Sequence, residues 1–165
     1  MSTESEFATL AGGCFWGVEE LFRQIDGVID TEAGYTGGHT ENPVYETVKT
    51  GTTGHAESIQ VEFDPSKTSY EEIIDFFFSI HDPTTEDRQG NDVGSQYRSE
   101  IFYHDNRQKE IAEHVIQKWE QSGKWREPIV TKVTAASEFY SAEDFHQDYL
   151  KKNPGGYTCH YIRKF

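Results

Sequence analysis

Basic residues are scarce in this chain: 15 Lys and Arg stand against 29 Asp and Glu, a net charge of −14. Such a field repels phosphate backbones and anionic lipid surfaces, which argues against nucleic-acid and membrane-surface roles. No apolar run approaches the roughly 20 residues a membrane span requires. The start of the chain, Ser2-Thr3-Glu4-Ser5-Glu6, has neither a basic segment nor an apolar one, so no secretory leader is read there. Two cysteines in 165 residues do not make a disulfide framework. A reducing cytoplasm is the expected setting, where paired cysteines serve catalysis or redox sensing. Internal repeats, low-complexity tracts and a Pro/Gly/Ser-rich linker are all missing, so one domain spanning 1–165 is expected. None of the seven histidines pairs with a cysteine at zinc-ligand spacing, and no His-x-x-x-His lies on a helical face. No metal site is read.

What remains is a chain that is 35% hydrophobic and 14% aromatic, enough to build a core. Phe7 to Ala11 reads as a buried strand. Val18, Leu21, Phe22 and Ile25 form a helical stripe. Val28 to Tyr35 is a second strand, followed by a long polar loop to about Gly54, of the kind that usually carries function. Ala56 to Phe63 alternates, with Glu57, Ile59, Val61 and Phe63 on one side. Ser69 and Glu72 make a capping box for a helix with Tyr70, Ile73, Ile74 and Phe77 on its inner face, ending near His81-Asp82-Pro83. Thr84 to Gln96 is loop and Ile101 to Tyr103 a strand. Asn106 to Ser122 is a helix stopped by Gly123. Ile129 to Thr134 is a strand, and Ser141 is expected to cap a last short helix carrying Phe145, Tyr149 and Leu150. Asn153-Pro154-Gly155-Gly156 then releases a tail. Strands and helices mixed in this order favour an α/β or α+β sandwich, a sheet covered by helices. The strand order is not legible.

Cys14 lies in Gly12-Gly13-Cys14-Phe15-Trp16-Gly17, where a strand turns into a helix. Unpaired N–H groups and the helix dipole favour a thiolate at such a position. Phe15 and Trp16 supply an apolar wall. The alternative, a small buried filler, makes poor use of three glycines. Glu57 shares its strand face with apolar residues. Desolvation there would raise its pKa and make it a general acid, unless it sits at the strand's exposed first position. Tyr45 and Tyr97 are loop phenols able to donate hydrogen bonds, or ordinary surface packing. Asp92 alone reads as a turn residue. Cys159 lies in the glycine-loosened tail, as a resolving cysteine would, or is incidental. His160 follows it directly, with the two side chains expected to point apart. A cysteine hydrolase using a histidine distant in sequence and a non-enzymatic thiol sensor stay open on these residues alone.

Taken together, Gly12 to Glu19, Gly34-Tyr35-Thr36-Gly37-Gly38, Asn42-Pro43-Val44-Tyr45, Gly54-His55-Ala56-Glu57, His81-Asp82-Pro83-Thr84, Gly94 to Ser99 and Ala142 to Leu150 resemble the A-type peptide methionine sulfoxide reductases. The likeness runs in order through nearly the whole chain. It implies an α/β (α+β) two-layer sandwich with a central mixed β-sheet, flanking helices and a long coiled C-terminal tail, 153–165. It implies Cys14 as nucleophile, Glu57 as proton donor to the sulfoxide oxygen, and Tyr45, Tyr97 and Asp92 as polar contacts. Phe15 and Trp16 would hold the substrate methyl, and Cys159 would close a Cys14–Cys159 disulfide reduced by thioredoxin or another dithiol. The substrates implied are free and protein-bound methionine (S)-sulfoxide, for repair of oxidised proteins by a cytoplasmic monomer without organic cofactor or metal. One departure stands out: relatives often place the tail cysteine directly after Gly-Tyr, whereas Thr158 intervenes here.

Overall fold

The computed structural model describes residues 5–164, so most of the acidic N-terminal run and the last tail residue lie outside the described residues. Strand β1 (Glu6–Gly12) leads through Gly13 and Cys14 into helix α1 (Phe15–Arg23). Next come β2 (Val28–Thr36), a one-turn helix α2 (Tyr45–Val48), β3 (Ala56–Phe63) and α3 (Tyr70–Ile80). A small hairpin of β4 (Arg88–Gln89) and β5 (Asp92–Val93) precedes β6 (Ser99–Tyr103). Helix α4 (Asn106–Ser122), β7 (Lys132–Ala135), β8 (Tyr140–Ser141) and α5 (Tyr149–Lys152) complete the elements.

Six strands form one sheet in the order β7-β6-β1-β3-β2-β8. The β6–β7 pair is parallel and the other pairs are antiparallel, so the sheet is mixed, as expected. The side-chain period of two assigns its faces. Ala8 and Leu10 of β1, Ala33 and Tyr35 of β2, Ile59, Val61 and Phe63 of β3 and Ile101 of β6 share one core with residues of α1, α3 and α4. Ala11, Ala56 and Phe102 cluster separately, with Ala136 packed against them. The helices therefore cover one face, and that face holds the main core.

Local signals account for most boundaries. Ser69 Oγ accepts from the Glu72 amide at 3.1 Å, although the Glu72 carboxylate turns to the Thr68 hydroxyl, so only half of the expected capping box forms. Asp105 caps α4 by accepting from the Gln108 amide at 2.8 Å, and Gly123 ends it at φ 69°. Other expectations fail. Ile25 lies beyond the end of α1 yet still packs on the core. The strand read from Ile129 begins only at Lys132. Ser141 caps no helix: it belongs to β8, pairing with Gly34 at the sheet edge, because β2 offers an open ladder there. Phe145 sits in a short 3-10 turn, 60% exposed, rather than facing inward from a helix.

The end of the chain is anchored rather than loose. Residues 153–164 carry no regular secondary structure. Even so, the Arg163 amide donates to Ser79 O at 2.9 Å, and His160 is only 6% exposed.

Candidate active site

Cys14 is the N-cap of α1, the position read from the sequence. Glu57 projects from β3 onto the helix-covered face, opposite Tyr35 in the ladder, and is 2% exposed. Its Oε1 accepts from the Phe15 amide at 3.2 Å. The unpaired N–H groups at the helix start are thus shared out, Phe15 to Glu57 and Trp16 to the Cys14 sulfur.

Burial decides the protonation states. Desolvation pushes the Glu57 carboxyl up to about 8, with Asp92 adding to the effect and the Phe15 amide opposing it. Of the two sequence readings of Glu57, a buried acid or an exposed strand end, its burial favours the first. The expected resting thiolate at Cys14 is contradicted. Burial, and Glu57 once it is ionised, push the thiol well above its ordinary range, and the Trp16 amide only partly offsets this. A helix N-terminus stabilises an anion by about 1 kcal/mol. That is less than removing a thiolate from water costs at a sulfur whose residue is 7% exposed.

The residues read as loop converge on this pair, although Tyr45 opens α2 and Tyr97 ends a 3-10 turn, because both long loops fold into short hydrogen-bonded elements. Asp92, Tyr45 and Tyr97 all lie close enough to interact electrostatically with Cys14 or Glu57. Burial raises both phenols, keeping them neutral donors. Asp92 sits on β5 rather than in a turn, and its hairpin is held by Gln89, which exchanges hydrogen bonds with the Asp82 backbone at 2.7 and 2.8 Å. The Gln96 side chain donates to Lys49 O at 3.0 Å, tying the two long loops together.

The aromatic wall is present, with a division of labour that the sequence did not reveal. Phe15 is 1% exposed, wedged between Tyr35 and His146 at ring distances of 5.6 and 5.2 Å. Trp16 is half-buried and stacks on Tyr149 at 3.8 Å. Its indole N–H donates to His146 Nδ1 at 2.9 Å. The His146 proton is therefore on Nε2, and burial keeps the ring neutral. Tyr45 lies 4.7 Å from the same ring. Glu143 accepts from the Tyr35 hydroxyl at 2.9 Å and the Tyr45 amide at 3.1 Å, locating α2. Glu143, His146 and Tyr149 were not singled out as site residues. The Ala142–Leu150 motif was the only signal, since the helical reading of Phe145, Tyr149 and Leu150 pointed to packing and not to the site.

Cys159 reaches the same region. Its Sγ lies 3.8 Å from Asp92 Oδ2 and 3.9 Å from Gln89 O, and its charge influences Cys14. Tyr157 donates to Asp92 Oδ2 at 3.1 Å. Both thiols are free. The side chains of Cys159 and His160 do not point apart: Sγ and Nδ1 are 3.8 Å from each other, because the tail turns where the His160 amide bonds Thr158 Oγ1 at 3.1 Å. Gly17 is required here, since a Cβ on it would overlap both Thr158 Oγ1 and His160 Nδ1. The intervening Thr158 is thus part of how the tail seats on α1. Among the described residues no group of three or more His, Cys, Asp or Glu side chains could hold a metal ion. Among the described residues no helix is long and apolar enough to cross a membrane.

A buried thiol at a helix start, facing a neutral carboxylic acid, two phenols and an aromatic wall, with a second thiol close by, defines a thiol-dependent reductase. The peptide methionine sulfoxide reductase family model matches residues 6–165, and the chain belongs to that family. Family members are peptide-methionine (S)-S-oxide reductases, and this chain is such an enzyme. It is 52% identical over 161 residues to a peptide methionine sulfoxide reductase MsrA of Nocardia farcinica, covering 98% of this chain and 92% of that one. The crystal structure of Mxr1 from Saccharomyces cerevisiae in reduced form superposes with a TM-score of 0.92 at 40% identity, covering 99% and 95% of the two chains. Mxr1 in complex with Trx2 gives 0.66 at 30% identity, covering 99% and 94%.

Proposed function

We propose that Cys14 attacks the sulfur of methionine (S)-sulfoxide while Glu57 hands its proton to the sulfoxide oxygen. The observation that carries this is the pair itself: a buried carboxyl raised to about 8 beside a thiol held at the N-cap of α1. Sulfoxide sulfur is a poor electrophile until its oxygen is protonated or strongly hydrogen-bonded. At neutral pH Glu57 carries the proton that is needed. The thiol proton replaces the one Glu57 gives up, so the oxygen moves from substrate sulfur to Cys14 and the proton count is unchanged. Methionine leaves and Cys14 is a sulfenic acid. Tyr45 and Tyr97 hydrogen-bond the oxygen as charge develops on it. Asp92 is a further polar contact, and Phe15 and Trp16 hold the methyl. Cys159 then condenses with the sulfenic acid, and a thioredoxin reduces the Cys14–Cys159 disulfide. The Mxr1–Trx2 complex supports a thioredoxin as partner.

Residues 1–165 form one reductase domain, with 153–165 as its recycling tail. It works as a cytoplasmic monomer on oxidised proteins and free methionine sulfoxide, needing no cofactor beyond the dithiol. The test uses racemic methionine sulfoxide with dithiothreitol and chiral chromatography of the remainder. The S epimer is consumed and the R epimer left, and Cys14→Ser abolishes turnover. Cys159→Ser releases about one methionine per enzyme and stalls with thioredoxin, whereas dithiothreitol partly restores turnover. Activity in Cys14→Ser above trace level refutes the nucleophile. A persistent Cys14 sulfenic acid beside a free Cys159 refutes the relay.

A further inference from the structure

His160 has no role in the chemistry above, yet the fold holds it closely. It is 6% exposed near the end of the chain, and its Nε2 lies 2.6 Å from Gly12 O on β1. A carbonyl oxygen only accepts, so Nε2 carries the proton and, in the neutral ring, Nδ1 carries the lone pair. That lone pair is 3.8 Å from Cys159 Sγ. Gly13 and Gly17 leave the space for the ring: a Cβ on Gly13 would come within 3.1 Å of Nε2, and one on Gly17 would overlap Nδ1.

We propose that His160 is the general base of the recycling step, taking the Cys159 thiol proton on Nδ1 as Cys159 Sγ attacks the sulfur of the Cys14 sulfenic acid. This rests on the reading of Cys159 as the resolving thiol. The Sγ–Sγ bond forms as the S–O bond of the sulfenic acid breaks. The departing hydroxide takes the proton held on Nδ1 and leaves as water, and the imidazole returns to neutral. No further oxidant or reductant enters.

The surroundings demand such a base. Burial and Asp92 raise the Cys159 thiol, so the thiolate does not form unaided near pH 7, while the Tyr157 hydroxyl works weakly the other way. Burial holds His160 down at about 4, with Arg163 acting in the same direction and His81 also coupled to the ring. The base is therefore unprotonated at every physiological pH. Asp92 Oδ2 is equally far from Sγ, at 3.8 Å, and accepts from Tyr157 as well; the His160 variants below leave Asp92 in place and so tell the two acceptors apart.

The experiment is a single turnover of the full-length enzyme with methionine sulfoxide and no reductant, quenched over time. Released methionine, remaining free thiols and the Cys14–Cys159 linked peptide are each counted. His160→Gln is the main variant, because its amide N–H can replace Nε2–H toward Gly12 O while offering no base. It releases methionine at the wild-type rate. Its thiol loss slows by roughly 10²-fold at pH 7, and that rate climbs with pH from 7 to 10 where the wild type stays flat.

Thiol loss at the wild-type rate overturns the assignment. So does a slowed rate with a flat pH profile, which marks His160 as an anchor alone. Should His160→Gln misfold, His160→Ala with added imidazole decides: saturable acceleration of disulfide closure supports the base, and no acceleration overturns it. Wild-type enzyme that releases methionine without ever linking the two cysteines refutes the resolving role of Cys159, whatever the variants do.

Discussion

Glu57→Gln separates the acid's chemistry from its cost to the fold. The carboxyl rises from 4.5 to about 8 on folding, so at pH 7 the folded protein binds a proton that the unfolded chain releases. Stability therefore falls as pH climbs from about 4.5 to about 8 and levels off above. Each pH unit is worth about 1.4 kcal/mol, so Glu57 costs the fold about 3 kcal/mol at pH 7 and under about 1 kcal/mol at pH 5. Glutamine keeps the shape and the bond from the Phe15 amide but has nothing to ionise. The variant is expected to gain stability over wild type progressively from pH 5 to pH 8, read by urea unfolding in matched buffers. Its chemical step slows by roughly 10²–10⁴-fold, because an amide donates a hydrogen bond without transferring a proton. The wild-type single-turnover rate is flat to about pH 7 and declines through about pH 8 as Glu57 ionises. In the variant that alkaline decline is missing. A stability difference independent of pH would show that Glu57 is not a neutral buried acid, and an alkaline limb that survives the substitution would place the proton donor elsewhere.

Tyr45→Phe and Tyr97→Phe each leave the other phenol in place, so each is expected to slow single-turnover methionine release by less than Glu57→Gln does. The double variant should lose more than the two singles combined, and simple additivity would show that the phenols act at separate places. Gly17→Ala forces Thr158 and His160 off α1, so thioredoxin-driven turnover should drop by at least roughly tenfold, given the 10²–10⁴ worth of a positioned base. The single-turnover burst of methionine should survive, and equal loss of both would mean that the tail also shapes the substrate site.

Much of the site was legible because its residues lie where local rules act. Cys14 follows a strand and opens a helix, so glycine spacing and the apolar stripe of Val18, Leu21 and Phe22 place it at an N-cap. Glu57 falls on a strand whose period of two runs on into Ile59, Val61 and Phe63, so its burial follows from phase. Helices α3 and α4 announce themselves through Ser69, Gly123 and their inner faces. The 140–150 segment was misread because its ordering comes from distant partners: β8 exists only because the edge of β2 is free, and His146 is held by Trp16, 130 positions away.

The sequence by itself determined which residues could do this chemistry and on which side of a strand or helix they would stand, since those depend on backbone periodicity and on nearest neighbours. Only the tertiary structure decided their protonation. Burial, a property of the whole packed layer, outweighs the local pull of a helix end, making Cys14 a thiol and Glu57 an acid at rest. It also decided the fate of the tail, which glycines and proline marked as loose. Space left by Gly13 in the turn before α1 and by Gly17 on α1, more than 140 residues earlier, lets His160 reach Gly12 O, and no local pattern around Cys159 encodes that fit.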